Sequence, residues 1–159
     1  MDFSNFAKKV VTNKYLALAF RFYIGGVFIY ASIYKINYTA EFAESIAAYQ
    51  IAPYWAVNIL AVLMGWTELI CGILLVAGIR SKSAACMIAG LLALFAAAIS
   101  LALIRNIPIG CGCFSSTESP MNWTTVARDL AWMAMAVHIY YFDSALQLER
   151  KFLIRITEI

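Results

Sequence analysis

Cys111 and Cys113, separated by Gly112 within Ile107-Pro-Ile-Gly-Cys-Gly-Cys-Phe-Ser-Ser116, are the side chains best able to do chemistry. A disulfide wants Cα atoms about 4.4–6.8 Å apart, which an i, i+2 pair reaches only where the chain turns. Gly110 and Gly112 free the backbone to make that turn. The ring so closed is small and strained, and a strained disulfide is easily reduced, so it behaves as an oxidant. A structural clip would more usefully join distant segments, because a minimal loop restrains the unfolded chain least. Zinc needs four ligands, and the remaining Cys71, Cys86 and His138 all fall inside apolar runs. Redox exchange is therefore favoured over a structural disulfide, and either over metal binding; no metal site is expected. Cys71 and Cys86, each alone in an apolar stretch, read as small buried hydrophobes.

Ionisable residues close to the pair come next. A cation beside a cysteine lowers its pKa and raises the thiolate fraction. Arg128 and Lys35 are the candidates, with Asp129 placed to orient the cation or relay a proton. Snorkelling to an interface would by itself account for Lys35. Arg21, Glu68 and His138 lie deeper in apolar runs, where a charge costs roughly 2.5–3.5 kcal/mol on insertion scales. Counted at 1.5 Å per residue from Tyr34, Pro53 and Trp123, all three fall about 20 Å from one surface. That common depth predicts an Arg21–Glu68 pair with His138 nearby. Such a group would be structural, or else a proton route or polar wall for a headgroup.

These residues must be positioned by membrane helices. The chain has 159 residues, 64% hydrophobic and 13% charged, about half the charge usual in soluble domains. Four runs approach or exceed the roughly 20 apolar residues that span a bilayer: 15–34, 53–77, 83–104 and 123–142. They predict an all-α fold, a single domain over 1–159 forming an integral membrane four-helix bundle. Lys8, Lys9 and Lys14 precede the first run as in a signal peptide. That run is too long, lacks a small-x-small cleavage site and contains Arg21, so the first helix is expected to be retained.

Charge sets the orientation. Lys8, Lys9, Lys14, Arg80, Lys82, Arg150, Lys151 and Arg155 flank one side, against Lys35, Arg105 and Arg128 on the other. Both termini are therefore expected in the cytoplasm, at the inner membrane, with the Cys-Gly-Cys loop facing a periplasm-like space where disulfides persist. The net charge of +3 is accounted for by these flanks and calls for no nucleic-acid partner.

Two further patterns concern packing. Residues 41–50 read as a short amphipathic helix at the outer interface, with Phe42, Ile46 and Tyr49 on one face. It is either a connector or a lid. Ala85, Ala89, Ala93 and Ala97 form a small-residue stripe that predicts close helix approach, and Gly25, Gly26, Gly65 and Gly72 could serve likewise.

Over essentially the whole chain, these pieces resemble the DoxX/MauE superfamily of four-helix membrane proteins. The matching residues are Arg21-Phe-Tyr-Ile-Gly-Gly-Val-Phe28 with Lys35, Glu68-Leu-Ile-Cys-Gly-Ile-Leu-Leu75, and Cys111-Gly-Cys-Phe114 with Trp123 and Arg128-Asp129. The Cys-Gly-Cys-Phe piece points to the MauE branch. That resemblance implies a redox role at the outer face beside a thioredoxin-like or disulfide-rich partner, in support of a methylamine-utilising dehydrogenase. The branch usually continues with Gly after the Phe, whereas Ser115 stands here. The architecture is also similar to quinone-linked disulfide-generating enzymes and vitamin K epoxide reductases, which use two cysteine pairs. This chain has one outer pair, so a quinone is a candidate acceptor only if that pair does both jobs or the partner supplies the second. The expected function is thiol–disulfide exchange, as an oxidoreductase or in its support. The rival is a non-catalytic accessory or assembly subunit of a larger membrane complex, with Cys111 and Cys113 as a structural clip.

Overall fold

The structure is a computed structural model that describes residues 14–105 and 123–142. Those residues form five helices: α1 (Lys14–Asn37), α2 (Thr39–Ala48), α3 (Tyr54–Ala77), α4 (Ser81–Ile104) and α5 (Trp123–Phe142). The all-α expectation holds. Three helices, α1, α3 and α4, are long and apolar enough to cross a membrane. Helix α5 has 20 residues but carries Arg128, Asp129 and His138, which keep it below the hydropathy of the other three.

The long helices pack in a ring of neighbours. Helix α1 lies against α3 and α5, and α4 lies against α5 and α3. The principal apolar core joins Ile24 and Phe28 of α1, Cys71 and Leu75 of α3, Ile88 and Leu92 of α4, and Ala136 and Ile139 of α5. The outward faces present Leu63, Ile70, Ile73, Met87 and Leu94. An apolar exterior of this extent suits lipid tails and would be an aggregation hazard in water.

Local sequence explains the joints. Helix α3 stops at Gly78, whose left-handed φ of 74° an L side chain adopts only at a cost. The Gly78 N–H donates to the Leu75 carbonyl and the Ile79 N–H to the Leu74 carbonyl, which caps the helix end. Arg80 is also left-handed, and Ala84 N–H donates to its carbonyl, so α4 starts at once. The result is a tight antiparallel hairpin between α3 and α4.

Helices α1 and α2 are nearly continuous. Tyr38 breaks the helical conformation, yet its N–H still donates to the Tyr34 carbonyl, and the Phe42 N–H to the Tyr38 carbonyl. Thr39 Oγ1 donates to the Lys35 and Ile36 carbonyls and so helps to fill the joint. Helix α2 then seats Phe42 and Ala43 on Val57 and Ala61 of α3. Tyr49, just past its end, packs with Ala96, Ile99 and Ala102 of α4 and Val126 of α5. The amphipathic reading of 41–50 is thus borne out in its helix and in the burial of Phe42 and Tyr49.

The alanine stripe is corrected. Ala85 is fully buried, but Ala93 and Ala97 are exposed. Four residues advance 400° around a helix of 3.6 residues per turn, so a strict every-fourth repeat drifts off the buried face. The face actually buried runs Ala85, Ile88, Leu92, Ala96, Ile99 and Ala102, in a mixture of steps of three and four. Close approach occurs instead between α1 and α3. A Cβ on Gly72 would lie 2.9 Å from Ile29 Cγ1 and 3.1 Å from the Gly25 carbonyl. Gly26 faces open space and takes no part. Cys71 is buried as expected, whereas Cys86 lies on the exposed face of α4.

Candidate functional site

The glycine contacts fix how α1 and α3 run past each other. Gly25 meets Gly72 and Val76, Ile29 meets Gly72, and Ile36 meets Gly65. In this antiparallel register Lys35 stands opposite the turn of α3 that carries Glu68. Lys35 Nζ donates to Glu68 Oε1 at 2.6 Å and to Oε2 at 2.8 Å. Lys35 is 3% exposed and Glu68 1%, so the pair is enclosed. Phe42 of α2 and Phe95 of α4 place their ring centroids 4.9 and 4.6 Å from Nζ. Cation–π contacts of this kind help to offset the desolvation of the ammonium.

The anticipated Arg21–Glu68 pair does not form. Arg21 is buried at 2% exposure, but it lies fourteen residues before Lys35 on α1, about 21 Å along the axis. The depth count failed because it took Pro53 as the level of the outer surface. Helix α1 runs on to Asn37, and the first turns of α3 pair with α2 rather than with α1. Glu68 is therefore level with the α2 end of α1. His138 does fall near the level of Arg21, its ring 5.3 Å from that of Phe20 and 4.8 Å from that of Phe142. Two of the three expected neighbours thus share one end, and Glu68 belongs to the other.

A second ion pair completes the α2 end. Arg128 Nε and Nη2 donate to Asp129 Oδ1 at 3.2 and 3.0 Å. The guanidinium lies 4.7 Å from the Trp132 ring centroid. Asp129 is 3% exposed, while the Arg128 side chain is 36% exposed. Asp129 Oδ1 thus accepts both bonds from the Arg128 guanidinium. Lys35, by contrast, does not snorkel; it turns inward to Glu68. All four charged residues line one small cavity with Phe28 and Ala31 of α1, Leu92 and Phe95 of α4, and Trp132.

Four ionisable side chains from three helices thus converge, two cationic and two anionic, with no net charge. Sequence reading divided them, putting Lys35, Arg128 and Asp129 in one group and Glu68 in another. The missed signal was the glycine set, since Gly25, Gly65 and Gly72 mark where α1 and α3 approach and so fix which cation faces Glu68. Cys111 and Cys113 lie outside the described residues. The two ends of their segment are described: Ala102, near the end of α4, packs in one cluster with Val126, one turn above Asp129. Among the described residues no group of three or more His, Cys, Asp or Glu could hold a metal ion.

A model of the family described as methylamine utilisation protein MauE matches residues 13–142. The methylamine utilization protein MauE of Paracoccus denitrificans is 29% identical over 123 residues, covering 76% of this chain and 66% of that protein. Its counterpart in Methylophilus methylotrophus is 30% identical over 135 residues, covering 83% and 71%. The match spans a little under two thirds of the first relative's length. No solved structure matches the chain. Matched along most of its described helices and built of membrane-length helices, the chain belongs to the MauE family.

Proposed function

We propose that this protein carries out or supports thiol–disulfide exchange at the outer face of the cytoplasmic membrane, through Cys111 and Cys113, in methylamine utilisation. Helix α5 serves as the fourth span of a four-helix bundle, both termini are cytoplasmic, and the kinship extends to the wider DoxX/MauE superfamily. The observation that carries the reading is the placement of Lys35–Glu68 and Arg128–Asp129. They sit at the head of α5, where the chain returns from the cysteines. Four charges at one place in a membrane protein are costly, and such groups ordinarily mark function. Arg128, part-exposed at this end, is the cation able to favour thiolate in a neighbouring cysteine.

In the exchange, a partner thiolate attacks the Cys111–Cys113 disulfide. That bond breaks, a mixed disulfide forms, and the displaced cysteine thiolate takes a proton. The partner's second thiol then resolves the mixed disulfide, so two electrons and two protons pass from partner to pair. A thioredoxin-like or disulfide-rich outer-face protein is the partner class, and a membrane quinone or a further disulfide is the class of oxidant that resets the pair. Cys113→Ser or Cys111→Ser leaves one thiol; its thiolate is expected to attack the disulfide of the oxidised partner, releasing one partner thiol and forming a mixed disulfide that the missing second cysteine cannot resolve, detectable on a non-reducing gel. Arg128→Gln is expected to slow exchange while the protein remains folded. Full pathway activity in both serine variants would overturn the reading in favour of the accessory subunit with a structural clip.

A further inference from the structure

Arg128 carries a long side chain that is 36% exposed, and in that setting many rotamers are open to it. A cation that favours a thiolate has to stay in one place with its N–H groups facing one way. Asp129 alone does not ensure this. Nε and Nη2 both donate to the same oxygen, Oδ1, whereas a fork-to-fork pair uses both carboxylate oxygens and fixes the plane. A single acceptor oxygen is a pivot about which the guanidinium can still tilt. Trp132 supplies the second support. It follows Arg128 by four residues on α5 and so shares its face of the helix, with the ring centroid 4.7 Å from Cζ. The indole is itself braced against the principal apolar core, and an aromatic face attracts a guanidinium and sets its plane. Of the other residues around this cavity, Lys35 and Glu68 hold each other, and α4 contributes the apolar Leu92 and Phe95.

We propose that Trp132 is a positioning residue for the exchange: its indole face, with Asp129 Oδ1 as the pivot, holds the Arg128 guanidinium in the pose that favours the thiolate of the Cys111–Cys113 pair. The inference rests on the exchange reading and on Arg128 as its cation. It gives Trp132 a part in thiol reactivity that packing in the core would not. Because the support comes from the face of a ring, an aromatic side chain can supply it and apolar bulk alone cannot.

The test follows iodoacetamide alkylation of Cys111 and Cys113 in the reduced, full-length protein in lipid nanodiscs, across a range of pH and read by mass spectrometry of their peptide. The thiolate is the reacting form, so the rate at neutral pH reports its population, while the limiting rate at high pH reports access alone. Arg128→Gln is expected to lower the neutral rate about tenfold, the effect of one pKa unit, and to leave the high-pH limit unchanged. Trp132→Leu is expected to lower the neutral rate several-fold with the same unchanged limit, and Trp132→Phe to restore most of it. In an Arg128→Gln background, Trp132→Leu is expected to cause no further fall. An unchanged rate in Arg128→Gln would remove the cation from the exchange reading, and the inference with it. A normal Arg128→Gln effect beside an unchanged rate in Trp132→Leu would overturn the role of Trp132 alone. So would a loss in Trp132→Phe as large as in Trp132→Leu, or a full further fall in the double variant. Should Trp132→Leu fail to fold, Trp132→Met takes its place. Failure of both would mean that Trp132 supplies packing rather than a ring face, and would overturn the inference.

Discussion

Lys35 and Glu68 illustrate how a membrane interior constrains single residues. Either charge alone would be severely disfavoured there, and each is tolerated because the other satisfies it at two oxygens. Glu68→Gln therefore strands a buried ammonium between Phe42 and Phe95. Breaking a buried pair from one side costs about 3–5 kcal/mol, enough to lower the thermal midpoint in detergent by many degrees. The double variant Lys35→Met, Glu68→Gln is expected to recover much of that loss, whereas Arg21→Met, Glu68→Gln is expected to recover none. Recovery with Arg21 instead of Lys35 would mean that the register between α1 and α3 is wrong.

At the scale of elements, the α1–α3 contact depends on glycines that let two backbones meet. A Cβ at Gly72 would meet Ile29 Cγ1 at 2.9 Å, the Gly25 carbonyl at 3.1 Å and Ile29 N at 3.2 Å. Backbone atoms cannot swing aside as a side-chain tip can, so Gly72→Ala must push the helices apart. Overpacking of this sort costs about 1–3 kcal/mol, and here it would also stretch the Lys35–Glu68 bond. Gly26→Ala meets nothing within 4 Å and is expected to be neutral or to stabilise by up to about 1 kcal/mol through helix propensity. Thermal unfolding of the two variants side by side measures the contrast. Equal effects would remove the close approach from the account. Helix α2 adds a second constraint, because Phe42 anchors it on α3 while Tyr49 reaches α4 and α5. It thereby closes the bundle over the ion pairs.

For the molecule as a whole, orientation decides what chemistry the segment between α4 and α5 can do. The aromatic residues Tyr38, Tyr54, Trp55 and Trp123 are exposed at the α2 end, and Tyr15, Tyr140 and Tyr141 at the other. Such belts suit the two bilayer interfaces, and they bracket α5 as they bracket α1. On the proposed orientation, with both termini inside, a membrane-impermeant thiol reagent on intact, reduced cells is expected to label Cys111 or Cys113. It should spare Cys71, which is buried, and Cys86, which lies exposed on the apolar helix α4. Loop labelling only after permeabilisation would reverse the topology and remove the outer-face redox reading.

The sequence by itself determined the all-α class, the approximate helix limits, the short helix carrying Phe42 and Tyr49, and the kinship to the MauE family. These follow from composition, apolar run length and local turn chemistry, which act over neighbouring residues. It also identified Lys35, Glu68, Arg128 and Asp129 as the charges in need of explanation, because any ionisable group in an apolar run is costly. Who pairs with whom was decided by the tertiary structure. Partner choice depends on the vertical register of antiparallel helices, and one misjudged surface level at Pro53 shifted Glu68 from Lys35 to Arg21. The alanine stripe failed for a related reason, since an every-fourth repeat looks regular along the chain but rotates away from the buried face. Register and facing are set by packing between segments distant in sequence, where glycine contacts and rings around an ammonium outweigh distances counted along the chain.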